Sequence, residues 1–414
     1  MNPRADDADD RFLWLEEIES AAATEWVHAR NALTFDRLTG GPRFAELRTA
    51  IRQVLDAADR IPYPGWRGGY FYNFWQDAEH PRGLWRRTTP DHYRHEDPEW
   101  DVLIDLDALA AAEGENWVWE GVAVRRPADD RCLVSLSRGG ADAVVVREFD
   151  LQRREFVADG FALPEAKSTV SWIDRDHIWV GTDFGPDSLT ASGYPRIAKR
   201  WRRGTPLAEA ETVFEGRHSD VSVGATHDTT VGYERDFVGR SLDFYHGEDF
   251  LLAPTGELLP IGKPSDAGWD VHRDWLTIRL RSPWTVDGTT YPAGALLVTR
   301  FDDFVAGGRE LTVLFEPDEH TSLCGYAWTR NHLILDIMDD VRSRLEVLTP
   351  SADGTAWRRE PLAGATGFDQ IGIVDTDPEQ HDEFLLSVTG FLRPDTLQWG
   401  RVAGPVETLK RAPA

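Results

Sequence analysis

STVSWIDRDHIWVGTD (residues 168–183), with PRIAKRWRRG (195–204) and AETVFEG (210–216) after it, decides the fold. Apolar and polar residues alternate there in short runs, and each run ends in Asp, Arg, Gly or Pro, so the stretch predicts a meander of short strands. A meander this small exposes two apolar faces and cannot cover either by itself. The chain on both sides must supply the cover, and it repeats the pattern.

Before it stand GGYFYNFWQ, GLWRRTT and WDVLIDLD (within 68–107), then RCLVSLS and AVVVREFDLQRREFV (131–157). After it come four further units, at 220–262, 274–316, 323–362 and 368–412. Seven units at a spacing of about fifty residues predict an all-β chain folded as a seven-bladed β-propeller. Stacking the units around an axis buries both faces of each and leaves only short outer edges, which a long open sheet does not achieve. The meanders are expected to begin near Arg60 and end near Ala412, giving a propeller domain at 59–414. Trp75, Trp85, Trp172, Trp179 and Trp328 fall in or beside strands and are expected to pack between blades.

Residues 1–58 differ in kind. RFLWLEEIESAAATEWVHARN (11–31) predicts one amphipathic helix with Glu16 and Glu17 early, Arg30 at its end, and an apolar face of Leu13, Trp14, Ile18 and Trp26. This N-terminal helical segment, up to about Asp56, is expected to lie outside the propeller and to touch it weakly.

The 71 acidic and 45 basic residues give a formal net charge of −26, which repels nucleic-acid phosphates and anionic lipid headgroups, so neither nucleic acid nor membrane is expected as a partner. No stretch approaches the length of about 20 apolar residues that a membrane span needs. Cys132 and Cys324 lie far apart in apolar runs and predict two buried free thiols, consistent with a reducing, cytoplasmic compartment.

The common motifs of catalysis are missing. The chain contains no G-x-x-x-x-G-K-[ST], H-E-x-x-H, C-x-x-C or G-x-S-x-G, so no catalytic residue, metal or cofactor is expected in it. HYRHEDPEWD (92–101) packs two histidines with Glu96 and Asp97, without a third ligand in sight, and predicts a solvated loop. RHSD (217–220) sets Ser219, His218 and Asp220 in a row, which predicts the start of a blade or a local turn, because a working triad is assembled from separate segments. SLSRGGADAVVVREFDL (135–151) predicts a hairpin turning at Gly139 and Gly140, with Asp142 either capping the turn or projecting from one face of the propeller.

Several of these segments together resemble the prolyl oligopeptidase family of serine peptidases. RFLWLEE and WVHARNALT are similar to its opening motif, YFYNFWQDAEHPRGLWRRT to its first blade, VLIDLDAL to the line that follows, and SRGGADAVVVREFDL to its S-x-x-G-S-D hairpin. SGYPRIAKRWRRGTPLAEAETVFEG (192–216) is similar to a blade linker of bacterial members. Ala141 replaces the usual serine before the aspartate, and Lys167 stands where many members carry an aromatic residue. The resemblance implies an N-terminal helical segment that packs on an α/β-hydrolase domain encoded after the propeller, and a propeller that gates entry of short peptides. It implies post-proline cleavage by that absent domain, and it places Asp142 opposite the hydrolase, as an interdomain, substrate-gating candidate. On this reading the 414 residues are a fragment that is inactive alone, its partners short peptides and the hydrolase domain in cis. The other class left open is a stand-alone propeller that binds proteins or peptides without catalysis.

Overall fold

Glycine turns fix where the strands stop: at Gly139 and Gly140 the backbone takes φ of 70° and 83°, and the chain reverses between Arg131–Arg138 and Val144–Asp150. In the computed structural model, which describes residues 10–17, 20–362 and 369–413, such reversals build seven antiparallel sheets. Contacts divide the chain into two compact units, Met1–Ala58 and Asp59–Ala414.

Within the second unit, blade 1 runs from Gly65–Arg67 to Asp101–Asp105, blade 2 from Trp117–Val124 to Glu155–Phe156 with Ala162–Ala166 added, and blade 3 from Thr169–Trp172 to Glu211–Glu215. Blade 4 spans Ser222–Asp228 to Leu258–Pro260, blade 5 Gly268–His272 to Thr312–Phe315, blade 6 Thr321–Trp328 to Trp357–Pro361, and blade 7 Gln370–Thr376 to Val406–Arg411. First strands approach one another between blades 2 and 3, 3 and 4, 6 and 7, and 7 and 1, which sets the first strand of a blade innermost, around the axis. The expected seven-bladed propeller is what forms. Its first strand starts at Gly65 and its last ends at Arg411.

Three inner strands precede their sequence units, Gly65–Arg67 of blade 1 among them. Blade 2 opens with Trp117–Val124, where a register shift between Trp119 and Gly121 breaks the alternation, and blade 5 opens with Gly268–His272. Blade 5 also carries an extra hairpin, Trp284–Val286 with Thr289–Tyr291, between its second and third strands. Tryptophans join the blades as expected. Trp179 of blade 3 donates to Asp236 of blade 4 at 2.8 Å, and Trp328 of blade 6 stacks on His272 of blade 5 at 4.6 Å. Trp75 differs: it is half-buried, with the guanidiniums of Arg60 and Arg86 over its ring.

The first unit departs from a single opening helix. Leu13–Glu16 is a short 3-10 turn, and a separate helix α1 (Ala21–Thr39) starts at Ser20, whose Oγ accepts the Ala23 N–H at 3.1 Å and so caps a new N-terminus. Arg30 is therefore inside α1 rather than at its end. Trp14 and Phe12 meet Trp26 edge-on or tilted, while Ile18 lies outside the described residues. Helix α2 (Pro42–Leu55) follows. No described helix is long and apolar enough to cross a membrane.

Candidate functional site

In an up-and-down meander, the turn after the first strand and the turn after the second lie at opposite ends of the sheet. The Gly139–Asp142 reversal, between second and third strands, therefore stands at one end of the channel, with the first-to-second turns at the other. Asp142 projects there with its side chain 70% exposed and pairs with Lys167 Nζ at 3.3 Å. It is not a turn cap: among the described residues its recorded partner is this lysine. Lys167 also stands 4.1 Å over the Tyr194 ring of blade 3 and reaches the Ser192 carbonyl at 3.5 Å. Beside them Arg138 forks onto both oxygens of Glu115, at 3.0 and 2.9 Å, and reaches Glu165 at 2.8 Å. The hydrogen bonds from Arg138 hold Glu115 below the usual carboxylate range. The cluster is thus a solvent-facing patch of both signs.

Further inside, the inner strands of blades 6 and 7 each skip a residue, between Leu323 and Gly325 and between Ile373 and Asp375. The bulges open a cavity of about 360 Å³ lined by Cys324, Tyr326, Asp336 and Asp375 among others. This corrects one expectation. Cys132 is buried as foreseen, but Cys324, set out of the ladder by its bulge, is exposed. Burial pushes the Cys324 thiol up, so it is no activated nucleophile. Burial also pushes Asp336 up to about 6, and its Oδ1 has no hydrogen-bond partner. Asp375 is raised by burial while the Trp66 N–H, at 2.5 Å, and Arg67, at 3.4 Å, favour its charged form. No local signal marked these carboxylates, because each becomes notable only through what the other blade brings.

The remaining sequence candidates resolve as local structure. Asp220 is buried at 3% exposure, accepts the Arg217 N–H at 2.7 Å and faces Arg240 at 3.4 Å, so RHSD is a turn. His92 and His95 stack at 5.8 Å on a short helical turn, and His92 comes no nearer to Glu99 than 3.8 Å.

Comparison with known proteins places this architecture. A family model described as the prolyl oligopeptidase N-terminal beta-propeller domain matches residues 2–233. An uncharacterised peptidase of Sinorhizobium fredii is 37% identical over all of this chain and 58% of its own length. One of Rickettsia prowazekii is 28% identical over 93% of this chain and 55% of its own length, so the chain spans somewhat over half of these relatives. The solved post-proline cleaving enzyme of Rickettsia typhi superposes with a TM-score of 0.90 at 27% identity, over 97% of this chain and 60% of that one. Oligopeptidase B of Leishmania major, at 15% identity and a TM-score of 0.72 over 97% of this chain and 56% of its own, shares the fold.

Proposed function

This chain belongs to the prolyl oligopeptidase family, and on that premise we propose that it is the access-controlling part of a serine-type oligopeptidase that cuts short peptides after proline. The observation that carries the reading is the 0.90 superposition on the Rickettsia typhi enzyme over nearly the whole chain. Chemistry supports the division of labour. Acyl transfer needs an activated nucleophile and oxyanion donors in one site, and the chain has no nucleophile elbow, so the reaction belongs to a hydrolase domain joined to it. The apolar side chains that α1 and α2 leave exposed, among them Leu33, Phe35, Leu47, Ile51 and Val54, suit burial against that domain. Asp142, solvent-facing and held among the described residues by Lys167, is able to exchange that partner for an arginine of the hydrolase domain and so hold the two closed.

The test compares the 414-residue chain with a protein in which the downstream reading frame is retained, each incubated with a chromogenic proline peptide. Hydrolysis by the longer protein alone, abolished by a serine-directed inhibitor, is the expected result. Hydrolysis by the short chain, or none by either, refutes the reading.

A further inference from the structure

The turns that join first to second strands all lie at the end of the channel away from Asp142, and three of them meet at one atom. Glu379, in the turn after the inner strand of blade 7, places Oε1 3.3 Å from Nη1 of Arg126 in the blade 2 turn. The same oxygen accepts from Thr229 Oγ1, in the blade 4 turn, at 3.4 Å. Blades 2, 4 and 7 are spread around the ring with at least one blade between any two of them. A point on the rim can reach one or two neighbouring blades; only a point close to the axis reaches all three.

The groups around Glu379 hold it there. Arg126 forks onto Asp377 at 3.1 and 3.3 Å, and Asp377 is fully buried, whereas the Arg126 and Glu379 side chains are 15% and 16% exposed. Between them the blade 1 turn is only Gly68–Gly69, so close beneath Asp129 that a Cβ on Gly68 would stand 2.8 Å from it, and this low turn lets Arg126 pass over blade 1 to blade 7. On the other flank the blade 7 turn is laced to blade 6. Arg330 N–H donates to the His381 carbonyl at 3.0 Å, and Asp382 accepts from Asn331 N–H at 2.7 Å and from Thr329 at 3.0 Å. The ring does not need Glu379 for closure, since blades 7 and 1 already pack through Trp66, His381 and Trp399. Sending a carboxylate to the axis costs desolvation that an apolar or shorter side chain would avoid.

We propose that Glu379, held by Arg126 and Thr229, is a stopper that closes this mouth, so that the channel is a blind chamber entered only from the end carrying Asp142. The stopper is a property of this chain whatever the reaction. Its consequence for peptide entry rests on the oligopeptidase reading.

The test starts from the chain carrying Cys324→Ser, which leaves only the buried Cys132, with Thr229→Cys and Glu379→Cys added. Dibromobimane, whose reach restores the length lost on shortening glutamate, is expected to bridge residues 229 and 379 within one molecule at dilutions where bridging between molecules is negligible. The exposed cross-strand pair Thr285→Cys with Thr290→Cys, whose hydroxyls lie 2.8 Å apart, is the positive control. Bridging of the control without bridging of 229 to 379 overturns the stopper. In the otherwise unaltered chain, Arg126→Gln is expected to speed amide exchange at Gln380 and His381 by about tenfold without changing blade 5. Unchanged exchange there removes Arg126 from the device. In the protein carrying its hydrolase domain, the bridged form is expected to keep the kcat/KM of the unaltered protein for a short proline peptide, whereas a loss relative to the unaltered protein shows that peptides use this mouth and overturns the blind chamber. Absence of hydrolysis in both forms refutes the oligopeptidase reading and leaves the stopper to the first two results.

Discussion

Glu148 shows how much one buried charge is asked to do. It lies on the third strand of blade 2 at 1% exposure, accepts Arg203 of blade 3 at 2.7 and 3.0 Å and the Phe161 N–H at 2.9 Å, and has Arg131 at 3.7 Å. Removing its charge takes the carboxylate from both guanidiniums, but Arg131 keeps Asp150 at 3.1 Å and Arg203 keeps the Arg175 carbonyl at 2.8 Å, so Glu148→Gln is expected to destabilise the chain by about 1–3 kcal/mol. A urea unfolding midpoint at neutral pH measures it; a loss within experimental error would mean that water enters and replaces the carboxylate. Asp142 is the opposite case. Its pair with Lys167 is exposed, and Asp142→Asn is expected to change stability by less than about 0.5 kcal/mol, as ordinary surface substitutions do. If it also closes the domains, the same change lowers kcat/KM of the protein carrying its hydrolase domain by the equivalent of about 2–5 kcal/mol. Early unfolding of the mutant chain, combined with unchanged peptide kinetics, would make Asp142 a structural residue only.

At the level of elements, strands that alternate over five or more residues were legible and interrupted ones were not. Trp117–Val124 hides because Gly121, at φ 132°, interrupts its period, and Gly268–His272 because its alternation rests on two apolar side chains alone, Trp269 and Val271. The break at Ser20 escapes a periodicity reading, since the apolar spacing runs across the cap. Exposure of Cys324 escapes it too, because a bulge changes which way a side chain points without changing composition. The bulge beside Asp336 makes a prediction of its own. Burial raises that carboxyl from an ordinary 3.8 to about 6, so the folded chain holds its proton more tightly than the unfolded chain does. Stability from this group is therefore fully present below pH 3.8 and falls as pH rises through 6. Asp336→Asn is expected to flatten that decline and to raise Tm at pH 7 more than at pH 4. Thermal unfolding of both proteins across this window checks it, and an equal Tm difference at both ends would contradict an uncompensated carboxyl.

For the whole molecule, the number of blades was legible from the repeat, because each unit must be covered by the next, whereas the contents of the channel were not. Arg126, Thr229 and Glu379 sit in three turns of unremarkable composition, and only closing the ring brings them together. Closure is expected to be weakest where blade 7 meets blade 1, the junction that no connecting segment of chain spans. Each sheet is made of its own strands, so no hydrogen-bonded ladder crosses from blade 7 to blade 1. Side chains do the joining: Trp66 is 5% exposed, meets His381 at 4.2 Å and Trp399 at 5.3 Å, and its N–H is held by Asp375 at 2.5 Å. Arg94 adds an exposed pair with Glu407 at 3.0 Å. Trp66→Ala is expected to cost about 3–5 kcal/mol, as for other buried tryptophans. The cost alone does not identify a seam, because Trp179, at 2% exposure between blades 3 and 4, should cost about as much when truncated. The distinction lies in where the ring opens. In Trp66→Ala, amides of the blade 1 and blade 7 strands are expected to exchange well before those of blade 4, whereas in Trp179→Ala blades 1 and 7 should keep their native protection. Hydrogen exchange resolved by blade separates the two. If both variants open uniformly, the propeller unfolds as one cooperative body and the join between its ends is no weaker than any other.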